Sequence, residues 1–315
     1  MTYLITGGAG FLGTALTRLL AGEGHRPVLF DLAPPETIPE DVRQASEYVQ
    51  GSVANLPELL AAMKGCSVET IFHLGGMLSV PCDDRPQAAF QANVVGTYHV
   101  LEAARLERVK QVIFGSSIAV YSRDLPSENV DDFTLERPNT MYGATKVFGE
   151  LVGVYYGRRY DLDFRGARLP SVVGPGSRTA HMSIYNSWAI EEPLKGNPYV
   201  IQVDPDTRCP AIYYKDAVRA LRLLSQAPRD RIKTGIYNIA GIVPPYSAGE
   251  LADAVRERIP GAQLDFQPDA RISAFLSSLG RLRLDDSRAR HEWGWRVEYG
   301  LAEMIEDFMR EFGRG

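Results

Sequence analysis

The chain has 315 residues, 45% of them hydrophobic, and a formal net charge of −5, which predicts one or two globular domains with a large core. The mild acidity argues against a general nucleic-acid binder, and no apolar run is long enough to span a bilayer. Three widely separated cysteines, Cys66, Cys82 and Cys209, argue against a disulfide framework or a zinc site, so we expect free thiols, no metal and a cytoplasmic protein.

Strand-like and helix-like segments alternate through the first half of the chain, a pattern typical of parallel β-α-β units. The predicted strands are Tyr3–Thr6, Pro27–Asp31, Glu47–Val49, Thr70–His73 and Gln111–Ser117. The predicted helices are Phe11–Leu20, Pro86–Leu106 and Asn139–Tyr160. This order predicts an α/β fold built on a doubly wound parallel sheet of the Rossmann type.

The second half of the chain has a less regular pattern. Its predicted strands are Phe164–Val173, Tyr199–Val203, Ile212–Tyr214 and Ile236–Ala240, and a helix is predicted at Asp216–Ser225. Ser247 and Glu250 have the spacing of a capping box, which predicts the start of a helix that continues to Arg258. Residues 285–314 are expected to form a terminal helical layer. We expect two interleaved domains, one of residues 1–165 plus 212–240 and a smaller one of residues 166–211 plus 241–315.

A glycine-rich turn, Thr6-Gly7-Gly8-Ala9-Gly10-Phe11-Leu12-Gly13, lies between the first predicted strand and the first predicted helix. Its glycines allow a pyrophosphate to approach the backbone closely, and the helix N-terminus offers free N–H groups to the phosphates. Asp31 ends the second strand, where its carboxylate would bind ribose hydroxyls and repel a 2′-phosphate. The alternative, a glycine turn in a domain without ligand, is less favoured because strand, turn, helix and acid occur in the required order.

These features predict NAD rather than NADP as the cofactor, since no Arg or Lys stands in the turn or directly after Asp31 to bind a 2′-phosphate. The residues predicted to contact NAD in this part of the chain are Gly7, Gly10, Phe11, Leu12, Gly13 and Asp31, with Ser52 and Val53 added by their position after the third strand.

Tyr142 and Lys146 are four residues apart in a predicted helix and therefore share a face. A nearby ammonium is expected to lower the tyrosine pKa from its usual value of about 10, which would make Tyr142 a general acid/base near neutral pH. Ser117 ends the fifth strand, at the sheet edge where such folds bind ligands. We predict Ser117, Tyr142 and Lys146 as the catalytic residues. A chance surface pair of Tyr and Lys is the simpler alternative, but the preceding motifs weaken it.

With these motifs the chain resembles the extended short-chain dehydrogenases/reductases, the family of NAD-dependent epimerases and dehydratases. Further matching segments are His73-Leu74-Gly75-Gly76, Asn93-Val94-Val95-Gly96-Thr97 and Phe114-Gly115-Ser116-Ser117. The resemblance implies that Ser117 supports the substrate oxygen, Tyr142 exchanges the proton and Lys146 also orients the nicotinamide ribose. It extends the predicted NAD contacts to Leu74, Gly75, Gly76, Asn93, Tyr142, Lys146, Pro170 and Val172. It assigns NAD binding to the first domain and substrate binding to the second, and it implies a homodimer through residues 86–107 and 139–160.

Within that family the chain is similar to the L-threonine 3-dehydrogenase branch in the runs Leu74-Gly75-Gly76-Met77-Leu78-Ser79, Thr140-Met141-Tyr142-Gly143 and Asp206-Thr207-Arg208-Cys209-Pro210. The asparagine that epimerases carry after the sixth strand is absent. The branch also has two threonines and an aspartate that should meet a substrate ammonium, where this chain has Ser177-Arg178-Thr179-Ala180-His181-Met182. Arg178 and His181 suit an anionic or neutral polar substrate better. The residues predicted to contact a small-molecule substrate are Ser79, Ser117, Tyr142, Arg178, Thr179 and His181.

We therefore expect an NAD-dependent oxidoreductase similar to L-threonine 3-dehydrogenase, which interconverts a secondary alcohol and a ketone on a small polar substrate. One alternative is a nucleotide-sugar epimerase of the UDP-hexose 4-epimerase type, which would regenerate its NAD within each cycle. The other is a catalytically silent NAD-binding protein, although such proteins commonly lose the Tyr or the Lys that this chain retains.

Overall fold

The computed structural model describes residues 2–121, 124–125 and 127–313. Its strands are β1 (Thr2–Thr6), β2 (Val28–Asp31), β3 (Glu47–Gln50), β4 (Val68–His73), β5 (Gln111–Ser117), β6 (Asn129–Val130), β7 (Asp163–Leu169), β8 (Ser171–Val173), β9 (Tyr199–Ile201), β10 (Ala211–Tyr213), β11 (Ile236–Asn238), β12 (Leu264–Phe266) and β13 (Arg283–Leu284). Its α-helices are α1 (Phe11–Gly22), α2 (Glu40–Gln44), α3 (Leu56–Met63), α4 (Ser79–Asp84), α5 (Pro86–Ala89), α6 (Gly96–Leu106), α7 (Met141–Tyr160), α8 (Tyr185–Leu194), α9 (Tyr214–Gln226), α10 (Ala248–Arg258), α11 (Ala270–Leu279), α12 (Ser287–Trp293) and α13 (Leu301–Phe312).

A seven-stranded sheet in the order β11-β7-β5-β4-β1-β2-β3 organises the first part of the chain, and its neighbouring strands are all parallel. The chain starts in the middle of the sheet at β1, builds outward to β3, and then returns to β4 on the other side of β1. Open sheets of this kind bind ligands at the carboxyl ends of the strands beside such a reversal. The predicted α/β fold with a doubly wound parallel sheet is confirmed.

Both faces of the central strands are buried, as expected for parallel strands covered by helices. On one face, Ile5 and Phe72 pack in a core with Leu16 of α1 and residues of α9. On the other face, Leu4 packs in a second core with Val100 of α6, residues of α3 and part of α7. The sheet is therefore a rigid support that fixes where each loop at its carboxyl edge begins.

The segment Phe164–Val173 was predicted as one strand, and this prediction is wrong. The structure divides it at Pro170: β7 joins the large sheet, whereas β8 pairs with β10 in a separate two-stranded sheet. Proline has no N–H to donate to a neighbouring strand, so a ladder cannot continue through this position. The chain leaves the large sheet here and enters the second lobe.

The second lobe has its own core, to which α8, α10 and α13 contribute. Its predicted capping box is confirmed, since the Glu250 N–H donates to the Ser247 hydroxyl over 3.1 Å and the Ser247 N–H donates to the Glu250 carboxylate over 2.6 Å.

The division into two domains stays a prediction. Its first boundary, after residue 165, falls inside β7, and its second falls inside β10. In the described part of the chain, none of the helices has both the length and the apolar character that crossing a membrane requires.

Candidate active site

The turn between β1 and α1 packs so closely that side chains would not fit at two of its glycines. A Cβ at Gly7, whose φ is +70°, would lie 2.7 Å from the Gly75 nitrogen, and a Cβ at Gly13 would lie 2.2 Å from the Gly7 carbonyl oxygen. Gly10 precedes the first residue of α1 and provides no side-chain cap. The N-terminus of α1 therefore presents backbone N–H groups without a competing side chain, which is the arrangement that phosphate groups bind.

The Asp31 carboxylate lies at the end of β2 and is held against this turn. Its two oxygens accept hydrogen bonds from the N–H groups of Ala9, over 3.0 Å, and Ala33, over 3.1 Å. Both oxygens retain lone pairs that ribose hydroxyls could use. An acid fixed beside an open helix N-terminus fits the adenosine ribose and pyrophosphate of NAD. Ser52 and Val53 follow β3, and there the Ser52 N–H donates to Glu58 over 2.7 Å while Val53 packs against Gly96.

A chain of buried hydrogen bonds joins the loop after β4 to the rest of the site. The Thr6 hydroxyl and the Thr97 hydroxyl bind the two ring nitrogens of His73, over 2.7 Å and 2.9 Å. Burial lowers the pKa of His73 to about 3, so the ring is neutral at physiological pH. The Thr6 hydroxyl also accepts the Gly75 N–H, and the Leu74 N–H continues the ladder to the Thr6 carbonyl. These contacts position Leu74, Gly75 and Gly76 opposite the glycine-rich turn.

Asn93 lies in a π-helical turn, Phe90–Val95, that connects α5 to α6. Its side-chain oxygen accepts the Met77 N–H over 2.7 Å, and its amide nitrogen donates to the Met77 carbonyl and to the Thr145 hydroxyl. The Asn93 side chain thus ties the loop after β4 to the helix that carries Tyr142. This placement agrees with the structural role that the family resemblance implies, while a direct contact with NAD stays a prediction.

Ser117, Tyr142 and Lys146 meet where β5 ends and α7 begins. The Ser117 and Tyr142 hydroxyls lie within hydrogen-bonding reach of one another. The Lys146 ammonium donates to the Gly115 carbonyl over 2.6 Å and lies 5.6 Å from the centre of the Tyr142 ring. Thr140 caps α7 by accepting the Gly143 N–H over 3.0 Å, which fixes the first turn that carries Tyr142. The three predicted catalytic residues are therefore brought together.

The expected lowering of the Tyr142 pKa is not what the structure gives. Burial raises the pKa of Tyr142 to about 12, and the hydrogen bond from Ser117 offsets only part of this effect. Burial also lowers the pKa of Lys146 to about 8, with Cys82 and Glu150 acting in the opposite direction. Desolvation disfavours the charged form of both groups, and the sequence pattern of a Tyr four residues before a Lys carries no information about it.

Behind this trio lies a buried ionic cluster that the sequence analysis missed. The Arg168 guanidinium donates to both oxygens of the Glu150 carboxylate, over 3.0 Å and 2.6 Å, and also binds Glu136. Glu150 in turn accepts a hydrogen bond from the Ser116 hydroxyl, next to Ser117. The available signal was weak: Glu150 stands one helical turn after Lys146, but its partner Arg168 lies on a strand, so no local pattern links the two.

The predicted substrate residues fall on two facing loops. Ser79 begins α4, and its hydroxyl accepts the Met182 N–H over 3.2 Å, which joins the loop after β4 to the loop after β8. Arg178 and Thr179 are exposed, whereas His181 is half-buried and lies 3.2 Å from the Ser183 hydroxyl. Burial lowers the pKa of His181 to about 4. Pro170 and Val172 flank the first residue of β8; their contacts with NAD, like those of the substrate residues with substrate, stay predictions.

A glycine-rich turn beside an acid, followed by the half-buried Tyr142 and the buried Lys146, is the arrangement typical of dinucleotide-dependent oxidoreductases. The sequence identifies the family, because the model of the NAD dependent epimerase/dehydratase family matches residues 3–240. The chain belongs to this family, and it is an NAD-dependent enzyme of the extended short-chain type. The predictions of the family and of NAD as cofactor are confirmed.

Similar proteins agree with this assignment. The mitochondrial L-threonine 3-dehydrogenase of Bos taurus is 29% identical over 316 residues, which cover 98% of this chain and 82% of the relative. The solved GalE-like L-threonine dehydrogenase from Cupriavidus necator, in its holo form, has a TM-score of 0.90 at 28% identity and 99% coverage of both chains. A UDP-glucose 4-epimerase from Thermus thermophilus in complex with NAD has a TM-score of 0.86 at 25% identity, covering 100% of this chain and 99% of its own.

Proposed function

We propose that the enzyme interconverts a secondary alcohol and a ketone on a small polar substrate, with Tyr142 as general acid/base. The proposal rests on one observation: the Ser117 and Tyr142 hydroxyls lie within hydrogen-bonding reach at the end of β5. Lys146, on α7, is hydrogen-bonded to the Gly115 carbonyl of the same strand. In this arrangement one substrate oxygen could contact both hydroxyls at once. The relatives named as L-threonine dehydrogenases support an oxidoreductase rather than a group-transfer reaction.

Each side chain has a separate task in this mechanism. The Ser117 hydroxyl holds the substrate oxygen, and Tyr142 takes its proton during oxidation or returns it during reduction. Bound NAD supplies the acceptor or donor of the hydride. Because burial raises the pKa of Tyr142 to about 12, the tyrosine holds its proton near neutral pH, which suits it as the acid in ketone reduction. When protonated, Lys146 favours the phenolate form that oxidation needs.

The substrate loop supports a substrate other than L-threonine. The aspartate that the resembled branch would offer to an ammonium group is replaced in the run that contains Arg178 and His181. Since the pKa of His181 is lowered to about 4, its ring is neutral and suits a hydroxyl group, while the exposed Arg178 guanidinium suits a carboxylate. We propose a hydroxy acid or a polyol as the substrate class.

The test is NADH absorbance with purified enzyme and a panel of hydroxy-amino acids, hydroxy acids, polyols and the matching ketones. We expect turnover with a hydroxy acid or polyol, and loss of that turnover in Tyr142→Phe with NADH binding retained. A panel in which none of the compounds changes NADH absorbance, although the protein binds NADH, would overturn the proposal.

A nucleotide-sugar epimerase is the second candidate, favoured by the likeness to the UDP-glucose 4-epimerase structure. An epimerase keeps its NAD bound and shows no net change in NADH. Purified enzyme that carries stoichiometric NAD and converts UDP-sugars without net NADH formation would replace the first proposal with this one.

We also propose a homodimer in the cytoplasm. Large apolar side chains are exposed along α7 and the helical segment before it, namely Phe90, Tyr98, Leu106, Leu151, Tyr155 and Tyr160. A face of this kind is typical of a protein–protein contact. Sedimentation at low micromolar concentration should give a dimer, and Tyr155→Glu should shift it towards the monomer.

The proposed cytoplasmic location is supported by the cysteines. All three are free thiols, which fits a reducing compartment.

A further inference from the structure

The short helix α4 lies between the loop after β8 and the first turn of α7. Ser79, its first residue, accepts the Met182 N–H with its hydroxyl over 3.2 Å. Asp83 stands four residues later, on the same face of the helix, and its carboxylate accepts the Met141 N–H over 3.1 Å. Met141 is the first residue of α7 and directly precedes Tyr142. One face of α4 therefore joins the proposed substrate loop to the helix that carries the proposed acid/base.

The bond from Met141 to Asp83 completes the N-terminus of α7. The first N–H groups of a helix have no partner within the helix, and an acid placed beside them is favourable. Thr140 accepts the Gly143 N–H, and Asp83 accepts the Met141 N–H. The first turn of α7 contains no acid of its own. The position of this turn, and with it that of Tyr142, therefore depends on a carboxylate that stands 58 residues earlier in the chain.

The Asp83 carboxylate is held in turn by α11. Arg271, the second residue of α11, lies 3.6 Å from the other carboxylate oxygen of Asp83 and 3.0 Å from Asp84. Near the opposite end of α11, Leu279 packs in a core with residues of the segment Ile118–Val120, which directly follows β5. The helix α11 thus contacts both sides of the proposed catalytic trio: the end of β5 directly, and the start of α7 through α4.

The side of α4 that carries Cys82 fixes it to the loop after β4. The Cys82 thiol donates to the Met77 carbonyl over 3.2 Å and accepts the Asn93 amide N–H over 3.4 Å. Cys82 is fully buried, so its side chain has no free space into which it could move. The helix α4 is therefore a fixed support against which Asp83 can hold α7.

Asp84 provides a comparison within the same helix. It also pairs with Arg271, but its side chain is 51% exposed, against 24% for Asp83. In the described part of the chain, the hydrogen bond to α7 comes from Asp83 and not from Asp84. Because the two acids share a helix, a charge and a partner, a difference between their variants reports on the contact with Met141.

We propose that Asp83 is a positioning residue: its carboxylate, held by Arg271, fixes Met141 and thereby keeps the Tyr142 hydroxyl within reach of Ser117 and the substrate oxygen. Asp83 itself touches neither substrate nor NAD and acts through α7. Proton transfer requires its atoms within hydrogen-bonding distance, so a small displacement of this turn slows the reaction. The inference rests on the proposed function, since it takes Tyr142 as the acid/base.

The kinetic experiment compares wild type with Asp83→Ala, Asp83→Asn and the control Asp84→Ala, using the substrate that the panel identifies. We expect Asp83→Ala to lower kcat about three- to tenfold, the worth of one hydrogen bond, with little change in KM or in NADH affinity. Asp83→Asn should recover most of kcat, because its amide oxygen can still accept the Met141 N–H. Asp84→Ala should stay close to wild type.

Three kinetic outcomes would overturn the inference. The first is an equal kcat in Asp83→Ala and Asp84→Ala. The second is a lower melting temperature or a higher KM in Asp83→Ala with kcat unchanged, which would give Asp83 a structural role alone. The third is a kcat in Asp83→Asn as low as in Asp83→Ala, which would mean that the hydrogen bond to Met141 is not the cause.

Amide hydrogen exchange of the NADH-loaded protein separates this inference from the proposed function, because it needs no turnover. We expect residues 139–146 to exchange about three- to tenfold faster in Asp83→Ala than in Asp84→Ala. Faster exchange in Asp83→Ala, in a protein that turns over none of the panel, would refute the proposed function and leave the contact of Asp83 with α7 in place. Equal exchange in the two variants would overturn the inference for any substrate.

Discussion

The ammonium of Lys146 and the main-chain carbonyl of Gly115 lie 2.6 Å apart and form a buried hydrogen bond. Gly115 stands two residues before Ser117 in β5, and Lys146 stands one helical turn after Tyr142 in α7. This bond therefore fixes the helix to the strand at the point where the Ser117 and Tyr142 hydroxyls meet. The geometry of the proposed catalytic trio depends on it.

Replacing Lys146 by Met should lower kcat by about a hundredfold or more, since it removes both the anchor on Gly115 and the positive charge near Tyr142. Lys110→Met is the matched control, because Lys110 is 73% exposed and pairs with Glu69 at the surface. Steady-state kinetics with the substrate found by the panel measure the effect. Equal kcat values for the two variants would contradict the role of Lys146, whereas loss of turnover in Lys146→Met alone would exclude a silent NAD-binding protein.

The rate of alcohol oxidation should rise with pH. With the pKa of Tyr142 raised to about 12, the phenolate that accepts the proton becomes more abundant from pH 6 to about pH 8, the pKa at which Lys146 loses the charge that favours it. Ser117→Ala removes the hydrogen bond that lowers this pKa, so its profile should move to higher pH, while Ser117→Thr retains a hydroxyl and should stay close to wild type. The pH dependence of kcat for the three proteins measures this. An oxidation rate that falls over this pH range would sink the assignment of Tyr142 as the base.

Asp31→Asn should weaken NADH binding and reduce the preference for NADH over NADPH by about tenfold or more. The amide still fits the end of β2, but it loses the negative charge that binds ribose hydroxyls and repels a 2′-phosphate. Asp41→Asn is a suitable control, since Asp41 is an exposed partner of Arg18. Fluorescence titration with both nucleotides gives the two dissociation constants. An unchanged ratio in Asp31→Asn would mean that the ribose binds elsewhere.

Gly13→Ala should abolish NADH binding or unfold the turn, because its Cβ would lie 2.2 Å from the Gly7 carbonyl oxygen, which is backbone and cannot move aside. Gly22→Ala, at the end of the same helix, has open space around the added methyl group. That control should be neutral or stabilising by up to about 1 kcal/mol. Thermal unfolding with and without NADH distinguishes the two variants. Normal NADH binding by Gly13→Ala would show that the turn is looser than its packing indicates.

The sequence was informative where function depends on local pattern. Local features predicted the nucleotide-binding turn: a strand, a glycine turn and a helix around Gly7 and Gly13, with an acid at Asp31. Because these features are contiguous or periodic in the sequence, their position at the edge of the sheet followed from the topology. The end of β7 was missed, although Pro170 was the signal for it. Because the residues on both sides are apolar, the run looked like one strand.

Properties that depend on burial could not be predicted from the sequence. The direction of the Tyr142 pKa follows from how much protein surrounds the phenol, which spacing to Lys146 does not encode. The pairing of Glu150 with Arg168 joins a helix to a strand. Contacts of this kind exist only after segments that are far apart in the sequence have packed together.

Glu150→Gln should destabilise the fold by about 3–5 kcal/mol at pH 6, because it leaves the buried Arg168 guanidinium without its main counter-ion. Glu136→Gln is the matched control on the same arginine. Burial and the neighbouring Glu150 raise the pKa of Glu136 above its usual value near 4.5, so at pH 6 Glu136 holds its proton and the neutral amide is a close substitute. With the pKa of Glu136 raised to about 8 in the folded protein, folding takes up a proton between about pH 4.5 and pH 8, so wild-type stability declines as pH rises through that range. Glu136→Gln should lack this part of the decline. Urea unfolding at pH 6 and pH 9 measures all three proteins, and an equal loss in both variants at pH 6 would show that Glu136, not Glu150 alone, carries the buried negative charge.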